Sequence, residues 1–259
     1  MGYREGGYKG NSAWVGVVVA VLVLGRCVLM PLSTIGGQPP LTAATIENTL
    51  LDDPKTGQLF ATIKRTYPEE FNGLTRDMLQ RSKAGASPSE VEEAMLTYLI
   101  DAGRRHRKEI IQAPHAAFEA YRQAEIKVAA TLRTADVNLC DQYISKGSFR
   151  TTAPAVDQKV LIDFRTTTWE TTAAGRDNPV KRAIKQPSDQ TGRTIAASMI
   201  AYGLKQSQVA AFFDENQSAM ARLSPVERCE LGIAFLKAVD GLPGEKADQF
   251  YAFLASRSG

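Results

Sequence analysis

Two four-residue stretches, Ser87-Pro88-Ser89-Glu90 and Ser224-Pro225-Val226-Glu227, constrain the fold more than any other feature of this chain. Each places serine where a helix needs an N-cap, proline at the first helical position and glutamate three residues after the cap. The serine oxygen accepts an otherwise orphaned backbone N–H, and the glutamate carboxylate accepts the N–H of the cap residue itself. A chain punctuated in this way is built from helices, and its hydrophobic spacing agrees. From Pro88 the apolar side runs through Val91, Met95, Tyr98, Leu99, Ala102, His106 and Ile110 at helical intervals until Pro114 ends it. Phe118, Tyr121, Glu125, Val128, Leu132, Ala135 and Leu139 then alternate steps of three and four. That heptad seam predicts one long helix over 115–146, stopped by Gly147. Shorter helices are expected at 42–52, 55–66, 68–84, 189–203, 205–222, 225–240 and 244–256. Residues 159–172 are rich in β-branched side chains, but a lone strand would have no partner, so they too read as helix. Loops are expected at 147–157 and 173–188. The fold class is all-α, an irregular multi-helix bundle that follows an N-terminal transmembrane helix.

That transmembrane helix is read from residues 13–32, AWVGVVVAVLVLGRCVLMPL. Twenty residues at about 1.5 Å each span about 30 Å, the thickness of a hydrocarbon core. Arg26 lies near the end of the stretch, where its side chain can snorkel to the interface. It also occupies the position where a signal-peptidase site or a lipid-attachment motif ending at Cys27 would need a small residue. The stretch is therefore expected to stay as an anchor, with 1–12 as a cytoplasmic tail, 33–41 as a linker and 42–259 as an exported domain. Arg4 and Lys9 before the span, and no further Lys or Arg from Arg26 to Lys55, fix that orientation. The expected location is the inner membrane, single-pass, with the domain in the periplasm or its extracytoplasmic equivalent.

The formal charge of +3 belongs mostly to the N-terminal segment: residues 1–32 carry a net +2 and the remainder only +1. A near-neutral domain gives no electrostatic reason for nucleic acid as a partner. In an oxidising compartment Cys140 and Cys229 are expected to form a disulfide. Such a bridge would close a loop of about 90 residues and stabilise by roughly 4–5 kcal/mol on the chain-entropy model. Two dispersed histidines and three cysteines have no metal-ligand spacing, and no cofactor motif is present.

Three candidate sites remain. The run RRHRK at 104–108 holds Arg104, Arg107 and Lys108, an anion-binding candidate. With Val91 at zero on a continuous helix, they point to about 220°, 160° and 260°, away from an apolar stripe near 40°. A solvated outer face is the competing reading, with Asp101 pairing with Arg104 and Arg105. His106 falls on the apolar stripe and reads as a core histidine. Glu125 sits in the heptad seam, where a charge is costly unless paired. It is either a general acid with a raised pKa or one half of an ion pair with an arginine of a neighbouring helix. Glu70 is a second, weaker carboxylate candidate, and Glu109 also falls on the apolar side of its helix. With no catalytic constellation around these residues, the expected function is a non-enzymatic scaffold, adaptor or assembly subunit at the cell envelope, with a protein partner. The alternatives are an envelope hydrolase working through a buried carboxylate and a binding protein for an apolar ligand.

Overall fold

In the computed structural model, the described residues are 41–146, 156–214 and 216–257. They form helices α1 (Ala43–Asp52), α2 (Gly57–Thr66), α3 (Pro68–Lys83), α4 (Pro88–Arg105), α5 (Arg107–Ile111), α6 (His115–Ala135) and α7 (Val137–Lys146). These are followed by α8 (Gln158–Asp177), α9 (Asp189–Ala201), α10 (Gln206–Phe213), α11 (Gln217–Ala221), α12 (Pro225–Asp240) and α13 (Glu245–Arg257). Both serine–proline–glutamate stretches form reciprocal capping boxes: Ser87 N–H donates to Glu90 at 2.7 Å and Ser224 N–H to Glu227 at 2.9 Å.

Two helices organise the packing. α8 buries Val160, Leu161, Phe164, Trp169 and Ala173 and packs against α2, α5 and α6. Three of its threonines fit a buried helix because their hydroxyls are satisfied, while the buried Thr166 hydroxyl has no partner. Thr168 donates to the Phe164 carbonyl, Thr172 to that of Thr168, and Thr171 to that of Ala117 across the α6 interface. This is why a β-branched stretch is helical here. α12 is buried nearly all round, from Cys229 through Val239, and packs against α6, α7 and α9.

Several expected boundaries move, each for a visible reason. The segment after Pro88 is not one helix. It breaks at His106, which leaves helical geometry and lets α5 turn onto α8. The contact is close because Gly175 has no Cβ to strike the Glu109 carbonyl. The predicted helix 115–146 breaks at Asp136, whose backbone is extended and whose carboxylate accepts the Asn138 N–H at 2.8 Å. The heptad seam therefore does not run through as one long helix. The break turns α7 onto α12 and places Cys140 opposite Cys229, Cα to Cα 5.5 Å apart, in a disulfide. Residues 205–222 hold two helices, α10 and α11, rather than one, and the expected loop at 173–188 begins only after Asp177.

The membrane reading is corrected. Among the described residues, no helix is long and apolar enough to cross a membrane. The two longest, α6 and α8, carry Glu119, Arg122, Glu125, Lys127 and Arg133, and Lys159, Asp163, Arg165, Glu170 and Arg176. The stretch 13–32 lies outside the described residues. The single-pass anchor, the membrane as a partner, the envelope scaffold function and the inner-membrane location with a periplasmic domain all depended on such a span, and none of them is kept.

Candidate functional site

The break at His106 has a consequence for charge. It divides the basic run between the last turn of α4, which carries Arg104 and Arg105, and α5, which carries Arg107 and Lys108. Facing them is the extended segment 178–188 between α8 and α9. It is tied down at two points: Val180 N–H donates to the Gln112 carbonyl at 2.7 Å, and Arg182 Nη1 donates to the Ile111 carbonyl at 2.8 Å. Between the two walls lies a cleft of about 620 Å³. It is lined by Arg104, Arg105, Arg107, Lys108, Lys181 and Arg182, with Ile111, Gln112 and Ile184. Six of these nine side chains are cationic and none is a carboxylate.

Three of the six cations pair with carboxylates that are not part of the lining. Asp101 pairs with Arg104 at 3.2 Å, Glu70 with Arg105 at 2.6 Å and Asp248 with Arg182 at 2.9 Å. Lys108 and Lys181, both exposed and on opposite walls, have no ion pair among the described residues. Like charges gathered this way repel one another, so the arrangement favours an anion between them. The structure thus brings Arg104, Arg107 and Lys108 into one cleft and adds three cations the sequence did not single out. Arg105 was read only as a partner for Asp101. Lys181 and Arg182 lie about 75 residues away, in what read as a featureless loop.

Glu70 supports the cleft from beneath. Its carboxylate accepts from Arg105 Nη2 at 2.6 Å and from Tyr98 Oη at 3.1 Å, and it contacts His106 Nε2 at 2.9 Å. Burial alone would raise its pKa, but the bonds from Arg105, His106 and Tyr98 outweigh that and hold the carboxyl below its usual range. His106 Nδ1 faces Glu109 at 3.3 Å, and the ring packs on Tyr67 with centroids 4.4 Å apart. His106 is therefore not an apolar core residue: both ring nitrogens are engaged by carboxylates. Burial raises the Tyr67 phenol to about 12, despite the opposing charge of Arg176.

The other candidate, Glu125, is elsewhere, buried on α6 and only 4% exposed. It makes no ion pair among the described residues, and its Oε2 has no hydrogen-bond partner. Burial raises its pKa to about 8. One turn away, Arg122 is equally buried but fully engaged, by Asp240 at 2.9 Å and by Asp248. Glu70 and Glu125 thus occupy separate surroundings and do not form a carboxylate pair. Among the described residues, no group of three or more His, Cys, Asp or Glu side chains is placed to hold a metal ion. Compared with protein-family models, with curated proteins and with solved structures, the chain gives no match.

Proposed function

We propose that this protein binds a small organic phosphate in the cleft between the α4–α5 junction and segment 178–188. The observation that carries this reading is the lining: six cations and no carboxylate around about 620 Å³. Arg104, Arg105 and Arg182 have carboxylates behind them, whereas Lys108 on one wall and Lys181 on the other have no ion pair among the described residues. Two ammonium groups without carboxylate partners match a dianion, and a phosphate monoester carries close to two charges at neutral pH. Ile111 and Ile184 give the same cleft apolar surface, which suits a ligand with an organic body better than inorganic phosphate. The engaged arginines keep the wall rigid, since their guanidinium groups are already oriented by Glu70 and Asp248.

Calorimetric titration with phenyl phosphate, inorganic phosphate and phenol tests the assignment. Phenyl phosphate should bind most tightly, inorganic phosphate more weakly and phenol not measurably. The Lys108→Glu/Lys181→Glu double variant should weaken phenyl phosphate by roughly a hundredfold, because two attractions become repulsions. Raised salt should weaken the wild type and leave the variant little changed. Phenyl phosphate binding that survives the double reversal would exclude the cleft as its site.

A further inference from the structure

We propose that the organic body of the cleft's ligand is an aliphatic chain, so that the ligand class is a free alkyl phosphate monoester. This rests on the phosphate reading of the cleft and adds what lies beside the phosphate. Three aliphatic side chains carry it. Ile111 of α5 and Ile184 of segment 178–188 are both part of the lining. Val180 is pinned next to it, because its N–H donates at 2.7 Å to the carbonyl of Gln112, itself a lining residue.

Exposure sets these residues apart. Among the described residues, the large apolar side chains left exposed are Val180, Ile184, Ile200, Tyr202 and Val226. Two of them belong to this one short segment, Val180 at 39% and Ile184 at 51% exposure, and each is followed directly by a lysine, Lys181 and Lys185. Apolar side chains scattered singly over a surface need no explanation. This pair sits on the segment that walls a cationic cleft, and so supplies apolar surface beside the charge that fixes a phosphate. Ile111 is only 8% exposed and belongs to the core, so part of the cleft's apolar surface is held in place by the packed interior.

An aromatic body fits less well. None of the nine lining residues is aromatic, so the cleft has no ring for a ligand to stack on. Two of its arginines already lie over rings of the protein, Arg105 over Tyr98 at 5.4 Å and Arg182 over Phe118 at 5.1 Å. An alkyl chain needs neither partner and gains by covered area alone. A cleft of about 620 Å³ also takes a ligand much larger than a phosphate group. A phospholipid in a bilayer shares the alkyl phosphate chemistry, but its chains are packed among their neighbours and cannot lie along the segment. The occupant assigned is therefore the free ligand.

Calorimetric titration of the full chain with methyl, butyl and hexyl phosphate, below micelle-forming concentrations, tests this. A fully buried methylene strengthens binding about fourfold, and one covered on a single side roughly twofold. Hexyl phosphate should therefore bind roughly thirtyfold more tightly than methyl phosphate. It should also bind more tightly than phenyl phosphate, its aryl counterpart of equal carbon number. In the Val180→Ser/Ile184→Ser variant, whose changes are both at exposed positions, the hexyl-to-methyl ratio should fall below about threefold. The Lys108→Glu/Lys181→Glu variant should weaken every member of the series. A ratio near one in the wild type, or an unchanged ratio in the serine variant, would overturn the chain assignment. If phenyl phosphate still binds in that case, the phosphate reading stands without it; if no phosphate binds at all, both fall. Sedimentation with phosphatidylcholine vesicles containing phosphatidic acid, together with a flat soluble series, would overturn the free ligand in favour of a bilayer headgroup.

Discussion

Glu70 and Glu125 are the same residue in opposite circumstances. Glu70 lies at the edge of the bundle and is bound by an arginine, a tyrosine and a histidine. Glu125 lies deeper and has an oxygen that nothing bonds. The first is held below its ordinary pKa and the second is raised to about 8. Burial pushes both upward, and the difference is whether donors have come with it. Arg122, one turn from Glu125, makes the same point with the opposite sign: it is as buried as Glu125 but clamped by two aspartates. A buried charge with partners holds helices together, whereas one without partners stores free energy that a ligand or a proton can release.

The largest test of this contrast is the pH dependence of stability. Glu125 titrates near 8 in the fold and near 4.5 when unfolded, so between those values the native state binds the extra proton. Stability should therefore be fullest below about pH 5 and decline as pH rises toward 8, by on the order of 4 kcal/mol from this group. Urea unfolding at pH 5 and pH 8 measures it, with Glu125→Gln as the reference in which the decline is absent. Parallel curves for the two proteins would remove the contrast.

Arg122→Met comes next. It leaves Asp248 buried with only Arg182 and His115, at 2.9 and 3.0 Å, and frees Asp240. Breaking a buried pair from one side costs about 3–5 kcal/mol, and the remaining partners of Asp248 place the expected loss near 3. Urea unfolding reads this too. A loss below 1 kcal/mol would mean that the clamp is not what distinguishes Arg122 from Glu125.

Much of the fold was legible in the sequence. Both capping boxes formed, the β-branched stretch 159–172 became helix α8, and Cys140 met Cys229. The capping boxes rest on local chemistry, which a single chain displays; the helix follows from a lone strand having no partner, and the disulfide was expected from the cysteines and an oxidising compartment rather than from any contact the chain displays. What could not be read depends on tertiary contact. The breaks at His106 and Asp136 follow from helices turning onto α8 and α12, and helical periodicity runs on across both. The absence of Cβ at Gly175, which lets α5 approach α8, has meaning only once the Glu109 carbonyl is beside it. The cleft was half visible. RRHRK marks one wall, but on an uninterrupted helix its charges point to solvent. The other wall, Lys181 and Arg182, has no periodic signal at all. The N-terminal apolar stretch was the poorest guide, because location, partner and function all hung on its length, hydropathy and flanking charges.

The Gly175 contact gives a prediction of intermediate size. Gly175→Ala drives a methyl group into the Glu109 carbonyl and forces α5 away from α8. Overpacking of this kind costs about 1–3 kcal/mol. Because α5 carries Arg107 and Lys108, the cleft should widen and phenyl phosphate should bind more weakly, whereas a change confined to the Glu125 region would leave that affinity alone. Unfolding and titration on the same variant separate the two effects.

The smallest effect concerns Glu70 itself. Its folded pKa is below the unfolded value, so its stabilisation is present above about pH 4.5 and is lost as pH falls through the folded value. That window lies on the acid side, and below about pH 4 Glu125 is protonated in both states and nearly silent. Glu70→Gln should flatten the acid limb and cost about 1 kcal/mol at pH 7, a modest figure because Arg105 is half exposed and its bond is screened. High salt should shrink the difference further, while the Glu125 effect, shielded from ions by the core, should be nearly insensitive to salt. If salt erased both effects equally, Glu125 would be as accessible to solvent as Glu70, and depth could no longer explain why one carboxylate is raised and the other lowered.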